Sequence, residues 1–162
     1  MNKKYQIFIS STYRDLIDVR NIAINTIIKM GHLPMGSEFL SASGSSILEY
    51  IKSVISLSDY VLLIIGDRYG SINEDGMSYI EEEYNHALIE NKRILVFIKN
   101  GNSKEAELTK FINKVLERQA ACYWDNGIDF SVKLSSTLYN VFTNEPSETY
   151  WARRNRFDDQ NK

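Results

Sequence analysis

Two stretches of the chain carry residue types that could do chemistry. The more informative is Ser78-Tyr79-Ile80-Glu81-Glu82-Glu83-Tyr84-Asn85-His86-Ala87, which sets three adjacent carboxylates at the start of a predicted helix. Acidic residues there compensate the positive end of the helix dipole, but their angular positions separate them. Ile80, Tyr84, Ala87 and Leu88 mark the buried face, and Ser78 with Glu81 has the spacing of a capping box. At about 100° per residue, Glu82 points nearly opposite the apolar face and is expected in solvent. Glu83 lies beside that face, one turn from Ala87, where it can reach into a cleft. A carboxylate kept ionised by a helix N-terminus suits a nucleophile or a cation-stabilising group better than an acid. Two readings of His86 follow: a group that orients Glu83, or a surface residue of the helix.

The second stretch is Ser10-Ser11-Thr12-Tyr13-Arg14-Asp15-Leu16. Three hydroxyls ahead of a helix offer hydrogen bonds to an anion, backed by free backbone N–H groups, and Arg14 adds a planar fork for a phosphate. Thr12 and Asp15 are also spaced like a capping box, as are Ser46 and Glu49; capping and ligand binding are compatible. Glu38, after the second strand, either approaches the same site or is a solvated loop acid. The chain contains no Gly-x-x-x-x-Gly-Lys and no Gly-x-Gly-x-x-Gly, so it lacks the P-loop and dinucleotide fingerprints, which argues against hydride transfer. His32 and His86 have no partner at metal spacing, so no metal is expected.

The elements that must position these residues alternate between short β-rich runs and helical periods, the pattern of a parallel α/β sheet. Strands are predicted at Tyr5–Ser10, His32–Met35, Tyr60–Ile65, Arg93–Ile98 and Ala121–Trp124. Helices are predicted at Tyr13–Met30, Ile47–Leu57, Tyr79–Glu90, Lys104–Glu117 and Phe130–Phe142. Pro34 places the second strand near a sheet edge. The uniformly apolar Tyr60–Ile65 is a strand covered on both faces. The expected architecture is a doubly wound five-stranded parallel sheet in the order 2-1-3-4-5. In such sheets ligands bind outside the carboxyl ends of the strands. There the loops holding Ser10 to Asp15, Glu38, and Gly66 to Glu83 converge.

Composition narrows the class. At 162 residues with 43% hydrophobic content the chain is a globular protein of about one domain. Nineteen Lys and Arg against 21 Asp and Glu leave no basic footprint for duplex nucleic acid. A single cysteine, Cys122, excludes an intramolecular disulfide and is expected in the core. No run is long enough for a signal peptide or a membrane helix, and a cytoplasmic location is the expectation. We divide the chain into an α/β domain at 1–143 and a polar extension at 144–162, whose Trp151, Arg153, Arg154 and Arg156 are read as a solvated tail.

Phe8-Ile9-Ser10-Ser11-Thr12-Tyr13-Arg14-Asp15-Leu16, with Arg20 beyond it, resembles the opening block of a bacterial family of uncharacterised domains. Ser58-Asp59-Tyr60, Gly66-Asp67-Arg68-Tyr69-Gly70-Ser71 and Ser78 to Tyr84 continue the likeness over about Lys3 to Lys99. That family is similar to TIR domains and nucleoside 2-deoxyribosyltransferases, which share a flavodoxin-like fold. Glu83 with Ala87 fits the register of their catalytic Glu; the family usually has Thr where this chain has Ile80, and the Trp-Cys pair of many TIR domains is missing. The resemblance implies cleavage of an N-glycosidic bond, with NAD⁺ as substrate rather than cofactor and Glu83 as the catalytic residue. It implies that Ser10, Ser11, Thr12 and Arg14 hold phosphates or ribose, and that Tyr69, Gly70 and Ser78 border the pocket. It further implies a role in bacterial antiphage immunity, with a protein partner. A homo-oligomer is expected on other grounds: a single domain leaves the cleft to be shielded by a loop such as Gly66 to Gly76 or by a second copy, and the near-zero net charge does not oppose self-assembly. Two alternatives stay open: a non-catalytic module that binds a nucleotide or self-associates, and nucleoside base exchange.

Overall fold

The computed structural model describes residues 4–37, 47–101 and 104–144. The chain runs β1 (Gln6–Ser11), α1 (Ile17–Lys29), β2 (Leu33–Met35), α2 (Ile47–Leu57), β3 (Tyr60–Ile65), α3 (Tyr79–Ile89), β4 (Arg93–Lys99), α4 (Ala106–Leu116), β5 (Ala121–Trp124) and α5 (Gly127–Asn144). The strands form one parallel sheet in the order β2-β1-β3-β4-β5. All six residues of β3 are buried, as the apolar run demands of a central strand. Pro34 sits in the edge strand β2, where its missing N–H breaks no inner ladder.

Side-chain alternation divides the core into two. Phe8, Val61, Leu63, Ile65, Ile94, Val96 and Ile98 pack against α2, α3 and α4 on one face. Ile7, Ile9, Tyr60, Leu62, Ile64 and Phe97 pack against α1 and α5 on the other. Because the period of a strand is two, the same alternation separates the neighbouring serines at the end of β1. Ser10 shares the face of Phe8, toward α3, whereas Ser11 shares the face of Ile9, toward α1. The chain leaves β1 toward α1 on one face and returns to β3 through α2 on the other. The end of β1 is therefore the topological switch point at which ligands bind in such sheets.

The opposite edge is closed by the Ser58-Asp59-Tyr60 motif. Asp59 Oδ2 accepts from the Gln6 N–H (2.8 Å), the Asp59 N–H donates to the Gln6 carbonyl (2.9 Å), and the Ser58 hydroxyl donates to the Val54 carbonyl (2.8 Å). That part of the resemblance has a structural task. Beside it, the Tyr5 N–H donates to His32 Nδ1 (3.2 Å), and the rings of Tyr5, His32, Tyr60 and Phe142 pack together.

Element ends account for the differences from expectation. α1 begins at Ile17, not Tyr13: Leu16 occupies the N-cap position without a side-chain cap bond, so the Thr12–Asp15 capping box does not form. Residues 12–15 instead cross the carboxyl edge of the sheet and press on the loop after β3. α5 begins at Gly127, earlier than Phe130, because Asn126 Oδ1 accepts from the Ile128 and Asp129 N–H groups and supplies a cap. Cys122 is only partly buried, packed against the α1/α5 face; burial raises its thiol pKa. Ser46, Glu38 and the tail residues Trp151, Arg153, Arg154 and Arg156 lie outside the described residues. No helix among the described residues is long and apolar enough to cross a membrane.

Candidate functional site

A cleft of about 970 Å³ opens at the carboxyl ends of β1 and β3. Its walls come from the β1–α1 loop, the amino-terminal half of α2, the β3–α3 loop and the first turns of α3. The sequence predicts this convergence; the geometry assigns each side chain its task.

Glu83 lines the cleft and is 8% exposed. Its Oε2 accepts a short hydrogen bond from the Ser10 hydroxyl, itself buried. Ser10 is thus not a wall of the cleft but the group beneath Glu83 that holds it. An ionised carboxylate is tolerated at such depth only when hydrogen bonds replace lost water. Ser11 lines the cleft, but its hydroxyl is turned toward α1. Its hydroxyl donates to the Thr12 carbonyl (2.8 Å) and accepts from Arg20 Nη1 (2.7 Å), which also approaches the Ile9 carbonyl. Arg20 is 2% exposed, with its guanidinium 5.9 Å from the Tyr13 ring centroid. In sequence Arg20 appears only as the end of the opening block, yet it carries a signal: it stands four residues after Leu16 and three before Ala23, on the apolar stripe of α1.

Thr12 and Arg14 line the cleft. Gly70 comes so close to Thr12 that a Cβ there would lie 2.7 Å from Thr12 Cγ2, and its φ of +90° favours glycine. A Cβ on Gly66 would lie 3.0 Å from both Asp15 Oδ2 and Leu16 Cδ2. The two glycines of Gly66-Asp67-Arg68-Tyr69-Gly70 therefore permit the two loops to touch. Between them, Asp67 pairs with Lys99 and Lys104, and the Lys104 ammonium donates to the Gly66 and Lys99 carbonyls (both 2.9 Å). Tyr69 lines the cleft with its hydroxyl turned away to Glu81 Oε2 (2.6 Å); burial, then this carboxylate, raises the phenol pKa. Lys114 completes that contact from α4 at 2.8 Å. Ser78 is fully buried and caps α3, its hydroxyl accepting from the Glu81 N–H (3.3 Å), and it is not on the cleft walls.

Glu82 is the clearest departure from expectation. It is largely shielded, on the cleft wall: Oε1 pairs with Lys52 of α2 (2.9 Å) and Oε2 accepts from Asn73 Nδ2 (3.0 Å), lowering the carboxyl pKa. The helical wheel of α3 alone cannot show that α2 and the Asn73–Ser78 turn cover its outer side. That turn is tight: Ile72 bridges Ser78, and Asn73 Oδ1 accepts from the Asp75 and Met77 N–H groups. His86 does not meet Glu83; its Nε2 contacts the Ser56 hydroxyl and the Lys52 carbonyl, both at 3.1 Å. Ile47, Leu48 and Ile51 of α2, Ile80, and the rings of Tyr13 and Tyr79 give the cleft apolar walls. Among the described residues no cluster of three or more His, Cys, Asp or Glu is placed to hold a metal.

The family model for a domain of unknown function, DUF4062, matches residues 6–139. The chain belongs to this family. Comparison of the DUF4062 chain with curated proteins gives no match. Among solved structures, the CMP N-glycosidase BcmB of Clostridium botulinum has a TM-score of 0.55 at 13% identity, over 83% of this chain and 98% of its own. A candidate quinone reductase from Klebsiella pneumoniae has a TM-score of 0.51 at 10% identity, over 90% and 87%. Flavodoxin 1 from Bacillus cereus has 0.45 at 14% identity, over 90% and 100%. At these identities the first two likenesses establish the α/β fold of the DUF4062 chain and nothing finer.

Proposed function

We propose that this DUF4062 chain hydrolyses the N-glycosidic bond of a nucleotide, with Glu83 as the carboxylate that meets the anomeric carbon. The observation that carries the reading is the buried, serine-bonded Glu83 at the switch point, on a cleft with apolar and aromatic walls. Rupture of the bond between ribose C1′ and a base nitrogen builds an oxocarbenium-like cation. A fixed negative charge in a low-dielectric site stabilises that cation, or traps it as an ester that water then opens. The fold shared with a CMP N-glycosidase supports the reaction class.

The resemblance to TIR domains supports NAD⁺ as the substrate. There the C1′–N bond breaks with its electron pair going to the ring nitrogen, so nicotinamide leaves neutral and no general acid is needed. Water forms the new C1′–O bond and gives up a proton, so NAD⁺ and water become ADP-ribose, nicotinamide and a proton. The same resemblance supports a role in antiphage immunity. The test is base release from NAD⁺, CMP and other nucleotides by wild type and Glu83→Gln. A fall of at least about a hundredfold is expected, the scale of losing one charge-stabilising group; equal rates in both proteins would sink the assignment.

A second reading, a non-catalytic self-associating module, draws on α5. Ile128, Val132 and Tyr139 are 81%, 65% and 62% exposed, and exposed apolar patches mark contact surfaces. Oligomers that form in light scattering on addition of NAD⁺, with no base released from any nucleotide, would favour it.

A further inference from the structure

The cleft holds polar groups that the protein's own contacts leave unused. Thr12 Oγ1 is buried with no hydrogen-bond partner, and orphaned hydroxyls of that kind are uncommon. Thr12 Cγ2 lies against Gly70, and Arg14 and Arg68, each two residues along the chain from that contact, line the same cleft from the two loops. Both arginines line the cleft and are exposed. Neither has a hydrogen-bond or ion-pair partner among the described residues, whereas Lys52, Lys99, Lys104 and Lys114 nearby are all paired with carboxylates. Two uncommitted guanidinium forks on the same cleft as an uncommitted hydroxyl fit the oxygens of a phosphate.

We infer that Thr12, Arg14 and Arg68 form a phosphate subsite, and that the chain takes nucleoside 5′-phosphates and their diphosphate-linked forms in preference to free nucleosides. Resting on the reading of Glu83 as the glycosidic carboxylate, the inference adds the handle by which the substrate is gripped and gives Arg68 a task. It also separates hydrolysis of nucleotides from base exchange on nucleosides, because a free nucleoside leaves both forks empty. The phosphate acts through binding alone and enters no bond-making step.

The test measures binding by calorimetry to full-length Glu83→Gln, which leaves ligand unconsumed, with two probe pairs: CMP against cytidine, and NAD⁺ against nicotinamide riboside. The phosphorylated member of each pair is expected to bind at least about tenfold more tightly, the scale of one hydrogen bond to a charged group. Added Arg68→Gln or Arg14→Gln should remove that advantage and leave nucleoside affinity unchanged; both positions are exposed, so folding is not at stake. Equal affinity within each pair, no binding of either nucleotide, or an equal loss for both members of a pair on Arg68→Gln would each overturn the subsite. Failure of the glycosidase reading looks different. Arginine-dependent nucleotide binding with no base released by wild type keeps the subsite and removes the reaction, whereas equal base release from nucleosides and nucleotides keeps the reaction and removes the subsite.

Discussion

At the scale of single residues, the site rests on a carboxylate that keeps little contact with water and so must be bonded. Ser10 supplies one bond to Glu83 from the strand beneath. Ser10→Ala is therefore expected to lower unfolding free energy by about 1–3 kcal/mol, the usual range for a buried acceptor that loses its donor. In a Glu83→Gln background the cost should shrink, because a neutral amide tolerates the loss better. A double-mutant cycle in urea checks this: strict additivity would mean that the two side chains are not coupled. Gly70 gives a second prediction. Gly70→Ala meets both a positive φ and the Thr12 methyl, so a loss of about 1–3 kcal/mol is expected. Removing that methyl with Thr12→Ser should restore only the steric part. Full recovery in thermal melts would show that the backbone angle costs nothing.

At the scale of elements, Glu82 joins three of them around the cleft. Its carboxylate holds Lys52 of α2 and Asn73 of the turn before α3, while His86, one turn along, contacts α2 again. Lys52 is 37% exposed on its side chain, so water screens the pair and its contribution to stability is below about 1 kcal/mol. The expected effect is local: Glu82→Gln should raise amide hydrogen exchange in residues 73–78 and along α2 while β3 stays protected. Unchanged exchange in the turn would remove the clamp. The pH dependence follows from the lowered Glu82 pKa. The pair contributes above the ordinary carboxyl value of 4.5, and that contribution is lost as pH falls below it through the folded-state value. Relative to the intrinsic exchange rate at each pH, the turn should therefore lose protection in acid in wild type but not in Glu82→Gln.

At the scale of the whole molecule, the edge opposite the cleft is closed by an aromatic group that includes a titratable ring. His32 accepts from the Tyr5 N–H as a neutral imidazole, and burial, then Lys4, lowers its pKa below 6.5. The unfolded chain binds the proton more readily, so stability rises with pH. His32's contribution is complete above 6.5 and is lost as pH falls through the depressed folded value. Chemical denaturation from about pH 7 to 5 should show a decline that His32→Phe flattens; parallel curves for the two proteins would assign the decline to other groups.

How much of this was legible in sequence differs from residue to residue, for physical reasons. The apolar run of β3, Pro34 in an edge strand and the alternation of strand and helix determined the sheet and its order, because burial on both faces admits few solutions. Period-two alternation already sends Ser10 and Ser11 to opposite faces, and the helical period already sets Glu83 beside the apolar stripe of α3. Helical phase misassigned Glu82 because a wheel records one helix, not the α2 and turn residues that fold over it. Thr12 and Asp15 carry the spacing of a cap, but the contact of their loop with Gly66 and Gly70 takes precedence. Which of the polar groups at the sheet edge remain uncommitted, Thr12, Arg14 and Arg68, was decided by tertiary structure alone. A side chain's availability depends on partners distant in sequence, and only the folded chain brings those partners within reach or leaves them out of it.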